Sequence, residues 1–216
     1  MKARIRAIIL DFDGVLVDSN ERKLLAYEDL FELYPDYRDA MIRYHRNHVA
    51  QPRLDKFAHI CGTIMGHPGN EEVIHDMACR FTALVVRRIQ NSPDVPGVRS
   101  FLEEFHSRVP LYVASLIPHD ELWRSIRACR FERYFVDAFG HPPFRKDDAI
   151  REVLKRERVL PEDVVLVGDS PSDLEAATVT GVEFIGRDSG TSFTGIPVTL
   201  FRDLHQIAAI LRPRIS

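Results

Sequence analysis

Acidic side chains follow two short apolar stretches of the sequence, at the points where those stretches end. Asp11 and Asp13 stand in D-F-D-G-V-L-V-D-S, and Asp169 and Asp173 stand in G-D-S-P-S-D. Carboxylates placed this close together repel one another, and a second acidic pair nearby increases the repulsion. Mg²⁺ makes such a cluster tolerable, because it takes oxygen ligands and typically uses a few carboxylates together with substrate phosphate. The pattern therefore indicates a site for a hard divalent cation such as Mg²⁺.

A serine and a lysine extend this acidic set. Another apolar stretch ends in V-A-S at Ser115, and Lys146 precedes the helical pattern that leads toward Asp169. A single aspartate is often only a turn residue or a helix cap, and we favour that reading for Asp18 and Asp94. Four acids at two strand ends, with a serine and a lysine beside them, do not fit that reading.

The apolar stretches predict strands that are buried on both faces of a parallel sheet, because they are rich in β-branched residues and lack polar alternation. The predicted strands are Ile5–Leu10, Leu111–Ser115, Val164–Val167 and Val182–Ile185. Helical patterns separate them, and Ser170-Pro171 is typical of a helix start. We therefore predict an α/β fold with a Rossmann-like open parallel sheet, in which functional residues gather at the carboxyl ends of the strands.

Residues 18–93 interrupt the alternation of strands and helices. Their apolar spacing predicts helices over Lys23–Tyr34, Tyr37–His48 and Glu71–Gln90, with no convincing strand. The segment lies between the first strand and the rest of the sheet. We predict a catalytic core formed by residues 1–17 and 94–216, with residues 18–93 inserted as an α-helical cap.

Composition narrows the classes of partner. The chain has 216 residues, and 29 Lys+Arg against 32 Asp+Glu give a net charge of −3. This balance predicts no nucleic-acid partner and no anionic membrane surface, and no stretch approaches the roughly 20 apolar residues of a membrane span. The apolar stretch near the amino terminus reaches Asp11 too early for a signal peptide. Three cysteines without a C-x-x-C pair are typical of reduced thiols in a cytoplasmic protein. No pattern points to an oligomeric state.

Together these motifs resemble those of the haloacid dehalogenase-like superfamily, in the branch whose helical cap follows the first motif. D-F-D-G-V-L-V-D-S is similar to the first family motif, V-A-S to the second, Lys146 to the third and G-D-S-P-S-D-L-E-A-A to the fourth. P-G-V at Pro96 to Val98 is similar to the usual entry into the helix after the cap. The resemblance spans the core, whereas the cap corresponds in position and length only.

The resemblance implies a phosphotransferase mechanism with a Mg²⁺ cofactor. Asp11 would attack phosphorus and form an aspartyl-phosphate, and Asp13 would act as general acid and then as general base. The family pattern assigns the metal to the Asp11 carboxylate, the Asp13 carbonyl and Asp169. The remaining implied roles are phosphate binding by Ser115, Lys146 and Gly14, and support by Asp173 and Ser170.

Asp13 restricts the reaction to phosphate esters, because relatives that cleave carbon–halogen or carbon–phosphorus bonds lack an aspartate there. The resemblance therefore implies a phosphatase, with a sugar-phosphate mutase similar to β-phosphoglucomutase as the alternative. Such mutases carry a histidine in a D-[ST]-x-x-x-H pattern, where this chain has Lys23. A lysine is a poor proton shuttle near neutral pH, which favours the phosphatase. A non-catalytic binding protein on the same fold is a further alternative.

The predicted substrate is a small phosphorylated metabolite, because a closing cap of this size encloses small ligands and excludes water. Lys23, Arg53 and Lys56 are the cap residues that could contact a second anionic group on it. Leu116 and Asp147 depart from the family pattern, which usually has Asn after the serine and Pro after the lysine. Both departures indicate a divergent pocket, so the sequence does not name the metabolite.

Overall fold

The computed structural model describes residues 4–48, 51, 53–191, 193 and 197–215, with the backbone alone at positions 20 and 21. Within these residues the chain divides into two compact units. The first comprises Met1–Ser19 and Ser92–Ser216, and the second comprises Asn20–Asn91. The predicted division into residues 1–17 with 94–216 and residues 18–93 cuts the chain at nearby points. That the second unit acts as a cap stays a prediction.

The first unit is built on a parallel sheet of six strands in the order β3-β2-β1-β4-β5-β6. The predicted α/β fold with a Rossmann-like open sheet is thus confirmed. The strands are β1 (Ala7–Leu10), β2 (Leu111–Ser115), β3 (Asp137–Gly140), β4 (Val164–Gly168), β5 (Glu183–Arg187) and β6 (Leu200–Phe201). Strands β3 and β6 were not predicted, because β3 mixes Asp137 and Gly140 into four residues and β6 has only two.

Helices connect the strands and cover the sheet. They are α5 (Val98–Phe105), α6 (His119–Ala128), α7 (Lys146–Glu157), α8 (Pro171–Thr180) and α9 (Leu204–Leu211). One face of the sheet packs against α7 and α8 in a buried apolar cluster that includes Ile9, Tyr112, Leu166 and Ile150. The centre of the sheet is formed by β1 and β4, whose residues pair in register from Ala7 with Val164 to Leu10 with Val167. Their carboxyl ends therefore lie side by side.

In the described residues of the second unit, all regular structure is helical. Its helices are α1 (Asn20–Phe31), α2 (Arg38–Asn47), α3 (Arg53–His59) and α4 (Glu71–Ile89), with a π-helical turn over Ile60–Ile64. The helix α3 was not among the predicted ones. Aromatic rings of Tyr27, His45, Phe57 and Phe81 pack together between these helices. Among the helices of the described chain, none is long and apolar enough to cross a membrane.

The burial of the central strands predicts which side chains, when truncated, destabilise the first unit most. Leu166 in β4 is fully buried in the apolar cluster, whereas Leu160, which precedes the same strand, is 59% exposed. We expect Leu166→Ala to lower the free energy of unfolding by about 2–5 kcal/mol, because it leaves a cavity in a packed core. The matched variant Leu160→Ala should change it by less than about 0.5 kcal/mol. Chemical denaturation of both variants measures the difference, and equal losses would contradict this placement of the core.

Candidate active site

The acidic residues singled out from the sequence meet at the carboxyl edge of the sheet. Asp11 follows β1, Asp169 follows β4 and Asp173 lies in the first turn of α8. Each offers a carboxylate oxygen within 4.8 Å of the others, and all three residues are buried. The backbone N–H of Asp11 donates to the carbonyl of Val167 at 2.9 Å, which holds the ends of β1 and β4 together.

Lys146 joins two members of this carboxylate cluster. Its Nζ lies 2.7 Å from Oδ2 of Asp11 and 2.5 Å from Oδ1 of Asp173, and the lysine is itself buried. Lys146 is the first residue of α7, so the start of this helix positions the ammonium group in the site. The three partners are far apart in sequence, and the α/β fold brings them together.

Local hydrogen bonds fix Asp173. Ser170 precedes α8, and its backbone N–H and its Oγ donate to Oδ2 of Asp173 at 3.2 Å and 2.5 Å. Because Oδ1 already accepts from Lys146, both oxygens of Asp173 are engaged in orienting other groups. The structure thus places Ser170 in contact with Asp173, and Asp173 in contact with the lysine of the site.

The electrostatics of the cluster are dominated by burial. Burial raises the pKa of Asp11 to about 8, because the attraction of Lys146 does not offset it and the charges on Asp173 and Asp169 raise it further. Burial likewise raises the pKa of Asp169, although a hydrogen bond from Ser189 lowers it. For Lys146, burial lowers the pKa but the two bonded carboxylates outweigh it, so the pKa is raised overall. The site therefore has more acidic groups than one ammonium can keep ionised.

Gly14 makes room for the cluster. A Cβ on this residue would lie 2.0 Å from Oδ2 of Asp169, and the backbone φ of +70° is one that side-chain-bearing residues rarely adopt. Its N–H donates to the carbonyl of Val17 at 2.8 Å, which closes the turn after β1. Gly14 thus borders Asp169 directly; phosphate binding by this residue stays a prediction.

The other predicted core residues lie near the ends of the same strands. Asp13 is half-buried, and its Oδ1 accepts a hydrogen bond of 2.5 Å from Oγ of Ser19. Ser115 ends β2 as a buried residue, and its Oγ accepts from the N–H of Ile117 at 3.3 Å. Leu116, which stands where the family usually has Asn, is 52% exposed.

The three basic residues predicted to meet substrate lie in the second unit. Lys23 is half-buried in α1. The guanidinium of Arg53 stacks over the ring of Phe81 at 4.5 Å. Lys56 is only 1% exposed, and its Nζ lies 3.0 Å from Nδ1 of His45, while burial lowers its pKa to about 8. Substrate contact by these three residues stays a prediction.

Sequence reasoning missed two residues at the carboxyl end of β5. Ser189 makes a hydrogen bond to the Asp169 carboxylate, and Arg187, the last residue of β5, is buried. The rule that located the acids, which places functional groups at the carboxyl ends of parallel strands, also applies to the predicted strand Val182–Ile185. Reading the residues after that strand would have found both.

The carboxylate cluster fits a hard divalent cation. Its donors are all carboxylate oxygens, which are ligands that Mg²⁺ prefers, and they are close enough to share one ion. Because residue 14 is a glycine, the Asp169 carboxylate occupies the space that a Cβ would otherwise fill. Asp11 and Asp169 are the predicted carboxylate ligands in this group, and Asp173 is its third member.

An open parallel α/β sheet is compatible with many activities, so comparison with known proteins is needed to identify the family. A sequence model of the haloacid dehalogenase-like hydrolase family matches residues 8–187 of this chain. The chain therefore belongs to the haloacid dehalogenase-like hydrolases. The resemblance inferred from the motifs is confirmed.

Individual relatives agree with this assignment. A phosphorylated carbohydrates phosphatase from Thermotoga maritima is 30% identical over 190 residues, which cover 84% of each chain. A solved structure of a candidate β-phosphoglucomutase from the same organism superposes with a TM-score of 0.74 at 23% identity, over 97% of this chain and 99% of the other. A haloacid dehalogenase-like hydrolase from Streptococcus pneumoniae superposes with a TM-score of 0.70 at 20% identity, over 95% and 98%. The structural matches establish the fold, and the family together with the curated relative confirms the prediction of an enzyme of the phosphatase class.

The close contact at Gly14 yields a test of the cation site. We expect Gly14→Ala to reduce the Mg²⁺-induced rise in melting temperature, because its Cβ would displace the Asp169 carboxylate. Gly66→Ala is the matched control, since Gly66 also has a positive φ but no atom within 4 Å of an added Cβ. Thermal melts of both variants with and without Mg²⁺ measure the effect. An unchanged Mg²⁺ response in Gly14→Ala would contradict the role of this contact.

Proposed function

We propose that this chain is a Mg²⁺-dependent phosphatase that hydrolyses a small phosphorylated carbohydrate through an aspartyl-phosphate on Asp11. The observation that carries the proposal is the single ammonium of Lys146 bonded to Asp11 and Asp173 beside Asp169. A nucleophile, a positive charge and a set of metal ligands are thereby concentrated within a few ångströms. Phosphoryl transfer depends mainly on such positioning and charge stabilisation.

Asp11 is the nucleophile in this proposal. Its Oδ1 accepts from the N–H of Phe12 at 2.6 Å and its Oδ2 accepts from Lys146, so the carboxylate is held in one orientation. A carboxylate oxygen attacks phosphorus as the bond from phosphorus to the ester oxygen breaks. Because burial raises the pKa of Asp11 to about 8, a further positive charge is needed to keep it ionised at neutral pH. Asp11 and Asp169 would hold Mg²⁺, which when bound would supply that charge and stabilise the phosphoryl oxygens.

Asp13 moves the protons. It donates a proton to the departing ester oxygen, and in the second step it takes one from the water that attacks the aspartyl-phosphate, which releases inorganic phosphate and restores Asp11. The hydrogen bond from Ser19 to Oδ1 orients the carboxyl group of Asp13. Ser115 and Lys146 bind phosphoryl oxygens in the same proposal.

The substrate class rests on the curated relative. That protein is named for phosphorylated carbohydrates, and the match covers 84% of both chains. The mutase alternative has less support, because Lys23 stands where the mutases carry the histidine of their D-[ST]-x-x-x-H pattern. A mutase would interconvert two sugar phosphates and require a bisphosphate primer, so assays with and without such a primer distinguish the two reactions.

Asp11→Asn tests the nucleophile. The amide is a much poorer nucleophile than a carboxylate, so we expect phosphate release from an aryl phosphate in the presence of Mg²⁺ to fall by about 10³-fold or more. Glu175→Gln, the same chemical change at an exposed site on α8, should retain activity. Chelation of Mg²⁺ should abolish release by the wild type. Activity that survives Asp11→Asn, or that needs no metal, would refute the mechanism.

Asp13→Asn tests the general acid. An alkoxide is a poorer leaving group than an aryl oxide, so protonation by Asp13 matters more for a sugar phosphate. We expect kcat/KM to fall by about 10²- to 10⁴-fold for a sugar phosphate and by clearly less for p-nitrophenyl phosphate. Asp120→Asn, an exposed acid in the first turn of α6, is the control. Equal losses on the two substrates would show that Asp13 does not protonate the leaving group.

A further inference from the structure

Arg187 is a buried cation that the proposed mechanism does not use. It is 6% exposed, and within the described residues neither its Nε nor its Nη1 has a hydrogen-bond partner. Arg214 provides a contrast within the same unit. Its side chain is also mostly buried, but both of its terminal nitrogens donate to the carboxylate of Glu183 at the other end of β5, at 3.1 Å and 2.5 Å. Arg214 is thus paired with a carboxylate, whereas two nitrogens of Arg187 have no partner in the described part of the chain.

The orphaned guanidinium is costly to the folded protein. Arginine remains protonated at any pH at which the protein is folded, so burial cannot be relieved by loss of a proton. A buried donor without a partner loses its hydrogen bonds to water and gains none in return. Groups of this kind are rare in folded proteins, and an anion supplied by a ligand satisfies them.

Register places Arg187 beside the carboxylate cluster. Gly168 at the end of β4 pairs with Gly186 of β5, so Asp169 and Arg187 are the next residues on neighbouring strands. Strands in a sheet lie about 4.8 Å apart. Two residues further along the chain, Ser189 makes its hydrogen bond to Asp169. Arg187 therefore occupies the same carboxyl edge of the sheet as the proposed nucleophile.

We propose that Arg187 binds a second acidic group of the substrate, a carboxylate or a second phosphate, at the carboxyl end of β5. The proposal deepens the proposed phosphatase function and rests on it. The substrate class becomes a phosphorylated carbohydrate that carries an additional acidic group, such as a phosphorylated sugar acid or a sugar bisphosphate. Arg187 is then a specificity-determining residue located in the core unit.

Sheet geometry sets the spacing of the two anionic groups. Strand β4 separates β1 from β5, so the strand that carries Asp11 and the strand that carries Arg187 lie about 10 Å apart, twice the usual strand spacing. The second acidic group therefore binds at a different strand end from the reacting phosphate, and the long side chain of Arg187 shortens the distance between the two groups. Inorganic phosphate alone occupies one site and leaves the other without a ligand.

The experiment compares paired substrates that differ only in the second acidic group: a neutral sugar phosphate, the corresponding phosphorylated aldonic acid, and the corresponding bisphosphate. Arg187→Met should lower kcat/KM for whichever acidic substrate is preferred by about 100-fold, mainly through KM, and for the neutral substrate by less than about 3-fold. Arg187→Lys should retain part of the preference, because it keeps a positive charge without the planar guanidinium. Arg202→Met, which removes an exposed arginine after β6, is the matched control and should behave as wild type.

Stability separates a ligand-binding role from a structural one. Because Nε and Nη1 of Arg187 have no hydrogen-bond partner among the described residues, Arg187→Met should melt at the same or a higher temperature than wild type. Equal losses on neutral and acidic substrates, a lowered melting temperature, or no preference of the wild type for an acidic substrate would each overturn the proposal.

A binding measurement distinguishes failure of this proposal from failure of the phosphatase assignment. Asp11→Asn protein, which should not turn over substrate, is melted with Mg²⁺ and each of the three compounds. A larger stabilisation by an acidic compound that disappears in Asp11→Asn/Arg187→Met supports the anion site even if no hydrolysis is found. Hydrolysis by the wild type without any dependence of binding or kcat/KM on Arg187 refutes the anion site alone. Equal stabilisation by inorganic phosphate, dependent on Arg187, would show a free-anion site and overturn the substrate assignment.

Discussion

The contact of one buried ammonium with two buried carboxylates is the interaction on which the first unit depends. Lys146 bonds Asp11 and Asp173, and Asp169 lies within the same cluster. Three carboxylates and one ammonium leave an excess of two negative charges if all are ionised. Removing charges from water is unfavourable unless they are paired. The two positive charges of one divalent cation would balance this excess. The overall charge of −3 reveals nothing of this, because it does not record where the charges lie.

Two central strands and two helices of the first unit are enough to bring these charged groups together. Central pairing of β1 with β4 puts the residues after both strands at one edge, and α7 and α8 begin at that edge with Lys146 and with the Ser170–Asp173 contact. Gly14 contributes by lacking a side chain, since any Cβ there would collide with Asp169. Each group in the site is oriented by a backbone feature of a strand end or a first helical turn. Strand ends and helix starts are rigid positions, so the charges stay close without rearranging.

Buried cations in this protein show how strongly neighbours decide the behaviour of a charge. Lys146 has two carboxylate partners, which raise its pKa despite burial. Lys56 in the second unit contacts His45 and the ring of Tyr27, and burial lowers its pKa to about 8. Two buried nitrogens of Arg187 have no hydrogen-bond partner among the described residues, so its burial points to a ligand. The same residue type or charge can therefore be structural or functional, and only its surroundings distinguish the two.

The sequence by itself determined the parallel α/β fold, the order of the motifs, the family, and the identity of the acids at the ends of β1 and β4. Those features depend on local apolar patterning and on residue types after strands, which are visible without a structure. Strands β3 and β6 and helix α3 were not recognisable, because short or mixed segments form through tertiary contacts that override local preference. Tertiary structure alone decided that Lys146 bridges Asp11 and Asp173 and that Gly14 fits against Asp169. It also decided that two buried nitrogens of Arg187 have no hydrogen-bond partner within the part of the chain that the structure describes. Each of these depends on distances between residues far apart in the chain, and spacing along a sequence does not encode those distances.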